Sequence, residues 1–219
     1  ANKYSPTSWS TWLKKGNVSI ANMQRKVYKS LIASTKAQMD SDHTTIKQLN
    51  KIYDYYSGKK HNFEYLAAFV TEKIITDNGG NYQFGWITAK SGDGGVDYIG
   101  KIPVGSGFAS TDIVVLGQAK CIKIESPISG HDLARTVARL KRGWIGAFVT
   151  TGVYSDRAQK EMFEDKYPIL LINGINVAET VVKAMHKIGE SNIDQFLVTI
   201  DNEYQEKVIN RRADEILYE

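Results

Sequence analysis

Cysteine is nearly missing from this chain: Cys121 is the only one in 219 residues. A single thiol excludes an intramolecular disulfide and suits a reducing, cytoplasmic setting. Long apolar runs are missing as well. None approaches the ~18 residues of a membrane-spanning helix, so no membrane partner is expected. The start, Ala1-Asn2-Lys3-Tyr4-Ser5-Pro6, has no signal-peptide apolar region. It does not begin with methionine, so the chain is expected to be processed or part of something longer. Histidine is sparse, and His43, His61, His131 and His186 show neither zinc spacing nor partner cysteines, which argues against a structural zinc site. No internal repeat and no low-complexity tract is visible.

Charge is plentiful but uneven. The net charge is +4. Residues 1–60 hold eleven Lys/Arg against three Asp, while the remainder holds seventeen Lys/Arg against twenty-one Asp/Glu. A basic leading region joined to a mildly acidic remainder suits a polyanion partner such as nucleic acid. The alternative is a solvated helical face.

Residues 7–59 read as helical. Ser8-Trp9-Ser10-Thr11-Trp12-Leu13 forms a short segment stopped by Gly16. A second helix runs from about 20 to 39, with Met23, Val27 and Leu31 at helical spacing. Asp40-Ser41-Asp42-His43 breaks it, and Ile46, Leu49, Tyr53 and Tyr56 continue the spacing to Gly58. Asn62 is expected to cap a helix over 62–76 whose buried stripe is Phe63, Leu66, Phe69, Val70 and Ile74. Strands follow at 82–87, 95–102 and 113–121, with Gly105-Ser106-Gly107 as the hairpin loop between the last two. A helix at 130–142, strand 145–150, helix 155–165, strand 168–172 and helix 175–187 complete an α/β sandwich with a central mixed β-sheet flanked by helices. Three parts are expected: a basic helical extension at 1–60, a core at 61–190, and a tail at 191–219 with one strand or loop and a polar helix.

Side chains alternate faces along a strand. Gln118 and Lys120 therefore share one face, and Ala119 and Cys121 share the other. Hairpin pairing brings Asp97 beside Gln118. Gly92-Asp93-Gly94-Gly95, just before it, is side-chain-poor and lets a ligand approach. Oxygen donors beside an ammonium group suit Mg²⁺-assisted chemistry at a phosphodiester. The cation neutralises developing charge, and a lysine orients water or stabilises the transition state. Glu64, near the start of the 62–76 helix, is the best candidate for a third ligand. The alternative is an Asp that caps a turn and a polar pair on an edge strand.

Glu64 in Asn62-Phe63-Glu64, Asp97 after Gly92-Asp93-Gly94-Gly95-Val96, and Gly117-Gln118-Ala119-Lys120 resemble the Mrr-like branch of the PD-(D/E)xK nucleases, in which the middle acid is commonly Gln. The stretch from Gly146 to Ser155 with Ala158, and Leu171-Ile172-Asn173-Gly174, are similar to that family's later strand ends. Val96 departs from the proline of the broader family name. The resemblance covers about residues 62–182. It implies a restriction-endonuclease-like fold, Mg²⁺ dependence and hydrolysis of DNA. It also implies Asp97, Gln118 and Glu64 as metal ligands and Lys120 as the catalytic lysine. Residues 7–16 and Arg211-Arg212-Ala213-Asp214-Glu215-Ile216-Leu217 resemble the cleavage half of MspJI-type modification-dependent restriction enzymes. The partners implied are double-stranded DNA and a second copy of the chain or a DNA-recognition domain or subunit. A junction- or damage-specific nuclease and a catalytically silent DNA-binding module remain as alternatives.

Further DNA contacts are expected around this centre. Arg135, Arg139 and Arg142 form a ridge on the 130–142 helix, readable as phosphate contacts or as a solvated face. Ser155 and Gln159 begin a helix, where a phosphate could sit, or where Ser155 simply caps it. Lys14, Lys15 and Lys123 are candidate nonspecific contacts. Thr150 and Thr151 end a central strand, as β-branched residues often do. The tryptophans read as packing residues and Cys121 as a small buried hydrophobe.

Overall fold

The computed structural model describes residues 32–89 and 95–218. The expected helix at 8–13, most of the one at 20–39, Lys14, Lys15 and Gly92-Asp93-Gly94 lie outside the described residues. The first described helix is a single turn, α1 (Thr35–Gln38). Asp42 then caps α2 (His43–Ser57), accepting from Thr44 N at 2.8 Å and Thr45 N at 3.0 Å. That is the usual work of an aspartate ahead of an apolar-periodic run.

A 3₁₀ turn (Lys60–Asn62) leads into α3 (Phe63–Asp77). The helix lies where the spacing placed it, but Asn62 does not cap it through its side chain. Its Nδ2 instead donates to Asp201, 3.2 Å away. The predicted stripe also understates how much of α3 is hidden. Ala67, Ala68, Thr71 and Ile75 are buried along with Phe63, Leu66, Phe69 and Val70. One side of α3 covers the sheet and the other is covered by helices. A helix covered on both sides needs small residues where neighbours approach, and the two alanines supply them.

The strands are β1 (Gln83–Thr88), β2 (Tyr98–Val104), β3 (Thr111–Lys120), β4 (Pro127–Ile128), β5 (Ile145–Thr150), β6 (Val153–Tyr154), β7 (Ile169–Ile172) and β8 (Val208–Ile209). Six of them form one sheet in the order β7-β5-β3-β2-β1-β8, and β4 pairs with β6 apart from it. The β1–β2–β3 run is antiparallel, and β3, β5 and β7 are parallel. This is the mixed sheet read from the sequence. Helices α4 (Gly130–Val137), α5 (Asp156–Glu164), α6 (Gly174–Ile188) and α7 (Ile193–Gln205) complete the layers. A 3₁₀ stretch, Ala213–Tyr218, lies against β2 and β3.

The two faces of the sheet have separate cores. On one, Tyr98, Cys121 and Val149 pack with α2, α3, α6 and α7. On the other, Ile99 and Leu116 pack with Trp86, Val96, Trp144 and Ile216, while Phe148 packs with Leu133, Ala158 and Met162. The first core runs through both boundaries drawn at 60/61 and 190/191, because Leu49, Ile52 and Tyr56 share it with Phe196, Leu197 and Ile200. The helix of the tail is therefore a core element, with Ile193, Phe196, Leu197, Ile200 and Tyr204 as its buried side. The expected polar helix is corrected: apart from Asp201, which is buried, its acids and amides lie outside that apolar side.

Gly117 shows how closely this packing constrains the sequence. Tyr98 lies opposite it in the β2–β3 register. A methyl at Gly117 would fall within the Tyr98 ring, and Tyr98 is itself fully buried with its hydroxyl 2.6 Å from Thr71 Oγ1. Gly117→Ala is expected to lower stability by roughly 1–3 kcal/mol, the usual range for overpacking. Urea unfolding checks this, and pairing it with Tyr98→Leu should recover part of the loss.

Candidate active site

The centre is built where β3 ends. Asp97 immediately precedes β2 and is fastened on both sides. Thr88 N donates to its carbonyl at 3.0 Å, and its own N–H donates to Gly117 O at 2.9 Å. Its carboxylate Oδ2 accepts from Ala119 N at 2.6 Å. The hairpin thus sets Asp97 against the Gln118–Lys120 stretch.

Gln118 and Lys120 both face α4. Lys120 Nζ forms an ion pair with Asp132, and Gln118 Oε1 accepts from Thr136 Oγ1. The match is a matter of repeat lengths. Two residues of strand advance about 6.6 Å, and four residues of helix about 6 Å. An antiparallel helix can therefore set Asp132 against Lys120 and Thr136 against Gln118.

Asp132 is held from both ends. Its Oδ2 accepts from Ser129 N at 2.9 Å and Ser129 Oγ at 2.8 Å, the capping box of α4. Partial burial pushes its carboxyl up, but the Lys120 ammonium and the Ser129 hydrogen bonds outweigh that and hold it at about 2. Gln118, Lys120, His131, Asp132, Arg135 and Phe148 enclose a cavity of about 230 Å³.

The helix predicted over 130–142 ends at Val137. The three arginines consequently diverge. Arg135 crosses Gly95, whose φ is +103° and where a Cβ would lie 2.9 Å from Arg135 Cδ. Glycine at 95 permits both the backbone turn and the passage of the arginine beside Gln118. Arg139 lies past the end of the helix, half-buried, and Arg142 is exposed.

Glu64 is half-buried in the first turn of α3. Its helix packs on the opposite face of the sheet, where its neighbour Phe63 shares a core with Cys121 and Tyr98. Lys123 is exposed in the loop after β3. Ser155 caps α5, accepting from Ala158 N at 3.1 Å. Gln159 is 6% exposed. Its amide bonds Ala33 N and O at 3.0 and 2.9 Å and Tyr154 O at 3.2 Å. The fold uses both side chains. Thr150 and Thr151 are likewise buried and tie down the chain after Lys120, donating to Lys120 O at 2.9 Å and to Ile122 O at 2.5 Å. Burial pushes the Cys121 thiol up, which suits a hydrophobe and not a nucleophile.

Two residues of this arrangement, Asp132 and Thr136, were not singled out in the sequence. Their signal was present: they stand four apart beside the Leu133–Val137 stripe, and Ser129-x-x-Asp132 has capping-box form. Among the described residues, no three of His, Cys, Asp and Glu converge as a metal-binding group. A Mg²⁺ site here must lean on few carboxylates. The donors fit that need, because Mg²⁺ takes one or two carboxylates and completes its shell with water and phosphate oxygens. The Gln118 carbonyl has a second lone pair besides the one facing Thr136.

Known proteins share this fold. The Mrr_cat family model, a restriction endonuclease, matches residues 57–181. The structure of the MspJI restriction endonuclease in complex with a 27-mer oligonucleotide superposes with a TM-score of 0.82 at 38% identity, over 100% of this chain and 49% of that one. The DNA modification-dependent restriction endonuclease AspBHI superposes with a TM-score of 0.66 at 20% identity, over 93% of this chain and 50% of that one, and so supports the fold. The chain spans about half the length of these solved structures. No curated protein matches it. The matched core, the sheet order and the 38% identity over the whole chain lead to one conclusion: this chain belongs to the Mrr_cat restriction endonuclease family.

Proposed function

We propose that this chain is the DNA-cleaving part of a Mg²⁺-dependent restriction endonuclease, hydrolysing phosphodiester bonds in double-stranded DNA. The observation that carries the reading is the bond from Ala119 N to the Asp97 carboxylate. It sets that carboxylate beside the strand from which Gln118 and Lys120 project to one face. Asp97 and Gln118 would hold Mg²⁺, with Glu64 as a further acid from α3. The cation would neutralise charge on the scissile phosphate and lower the pKa of the attacking water. Lys120, with 42% of its side chain exposed, presents an ammonium to the same place. It orients that water or stabilises the charge developing on the phosphoryl oxygens. Asp132 keeps this ammonium turned into the site. Arg135 and Lys123 would hold the strand by its phosphates.

Plasmid cleavage tests the function. Supercoiled DNA, with and without cytosine modification, should be nicked or linearised in Mg²⁺ and left intact in EDTA. If every substrate stays intact in Mg²⁺, the reading fails for this chain.

Because Gln118 is neutral, the free protein should bind Mg²⁺ weakly, and Gln118→Glu should tighten binding. Calorimetry with Mg²⁺ in the absence of DNA checks this, and tight binding by the wild type would count against the ligand set. Cutting both strands needs two centres or one acting twice. We therefore expect a dimer or larger assembly on DNA, with recognition supplied by a further domain or subunit. A light-scattering mass that stays monomeric both alone and with DNA would contradict the assembly.

A further inference from the structure

A second and larger cleft, of about 630 Å³, opens on the sheet face that carries Gln118 and Lys120. It continues the register of the active site. Leu116, in its floor, is two residues before Gln118 on the same face of β3. Arg139, in its wall, is three residues after Thr136. Val96, also lining it, adjoins Asp97. The cleft therefore begins about 6.6 Å along the strand from Gln118, close to the spacing of neighbouring phosphates on one DNA strand.

Its lining has two characters. The floor is apolar, made of Ile99, Leu116 and Trp144. The walls carry cations. Asp214 faces Lys141 at 3.4 Å and Arg212 at 3.6 Å, and Glu215 faces Arg211 at 3.1 Å. Both carboxylates of the cleft are thus matched to cations. Arg139 has no ion pair among the described residues, and its Nε is buried without an acceptor. Buried donors are almost always paired, and because this one belongs to a guanidinium, an anionic acceptor suits it best. The Arg211 guanidinium, 4.8 Å above the Trp86 ring, is fixed in place by that ring and by Glu215.

We propose that this cleft is a nucleotide subsite. It would hold the nucleotide next to the scissile phosphate, with its phosphate on Arg139 and Arg211 and its base or sugar against Ile99, Leu116 and Trp144. The assignment rests on the nuclease reading for the strand it holds, but its chemistry, a phosphate joined to an apolar ring system, can be tested alone.

Calorimetry without metal, on the whole chain, compares a deoxynucleoside 5′-monophosphate with inorganic phosphate and with the free deoxynucleoside. The monophosphate should bind at least about tenfold more tightly than either, and Arg139→Gln should weaken it by about tenfold or more, the scale of one charge-assisted hydrogen bond. Arg211→Gln should act in the same direction, with melting curves to confirm folding, while Lys160→Gln on α5 should change nothing. If Arg211→Gln fails to fold, Arg139→Gln, beyond the end of its helix, still decides. Equal binding of phosphate and monophosphate, or full binding by Arg139→Gln, overturns the subsite. Plasmid cleavage by the wild type is read separately. Cleavage with an indifferent Arg139 defeats only the subsite, and nucleotide binding without cleavage defeats only the nuclease reading.

Discussion

Lys120→Ala is expected to slow cleavage severely while leaving the protein folded and bound to DNA. The ammonium is the one positive charge that β3 itself delivers to the site, and Asp132 holds it there. Removing a preorganised group that meets transition-state charge lowers a rate by roughly 100- to 1,000-fold. Stability should hardly move. Lys120 is substantially exposed, and Asp132 keeps both of its Ser129 bonds when the lysine is gone, so the loss should stay below about 1 kcal/mol. Binding should weaken only by one phosphate contact, lowering the salt slope by about one. Lys120→Arg should not restore the rate, because a planar fork does not reproduce a compact point charge. Single-turnover nicking, anisotropy with labelled duplex and urea unfolding separate the three effects. Nicking by Lys120→Ala at the wild-type rate would remove Lys120 from the chemistry.

The sequence made the strand side of this centre legible and left the helix side dark. Alternation along a strand is a local rule, so Gln118 and Lys120 could be put on one face and Asp97 beside them. The Asp97–Ala119 bond and the β2–β3 register agree. Asp132 and Thr136 depend on which way the next helix lies over β3, a tertiary matter. The three arginines drew the eye as a charge ridge on a helix that in fact ends before the second of them. Gln159 illustrates the opposite difficulty. Its place at a helix start suggested a phosphate contact, yet its partners lie near residue 33, far away in the chain. In the tail, Ile193, Phe196, Leu197, Ile200 and Tyr204 were readable as an apolar stripe, but the acids and amides between them pointed to a solvated helix. No sequence pattern could have shown that Tyr98 occupies the space above Gly117.

Asp201→Ala should produce the largest loss of stability of any single change considered, about 3 kcal/mol. Asp201 is a buried acid, 6% exposed, on the inner side of α7. Its carboxylate accepts from Tyr56 Oη at 3.0 Å, Tyr55 Oη at 3.2 Å, Lys59 Nζ at 2.8 Å and Asn62 Nδ2 at 3.2 Å. One residue thus joins α7 to the end of α2 and the start of α3. Breaking a buried pair costs about 3–5 kcal/mol. The lower figure applies here, because Lys59 is 35% exposed and can turn to water. Tyr56 cannot: it is wholly buried, and stranding its hydroxyl alone costs about 1–3 kcal/mol. Asp201→Asn, which keeps an acceptor for Tyr56, should lose less. Urea unfolding orders the series, and a loss under about 1 kcal/mol for Asp201→Ala would show that apolar packing alone holds these helices. The consequence reaches the active site, because Lys59 and Asn62 lead directly into the turn that carries Glu64. If Glu64 serves the metal, Asp201→Asn should slow cleavage at temperatures where the protein is still folded, and Glu64→Gln should add little to that variant. If the two losses instead multiply, Asp201 acts on the rate by another route and the placement of Glu64 does not depend on it.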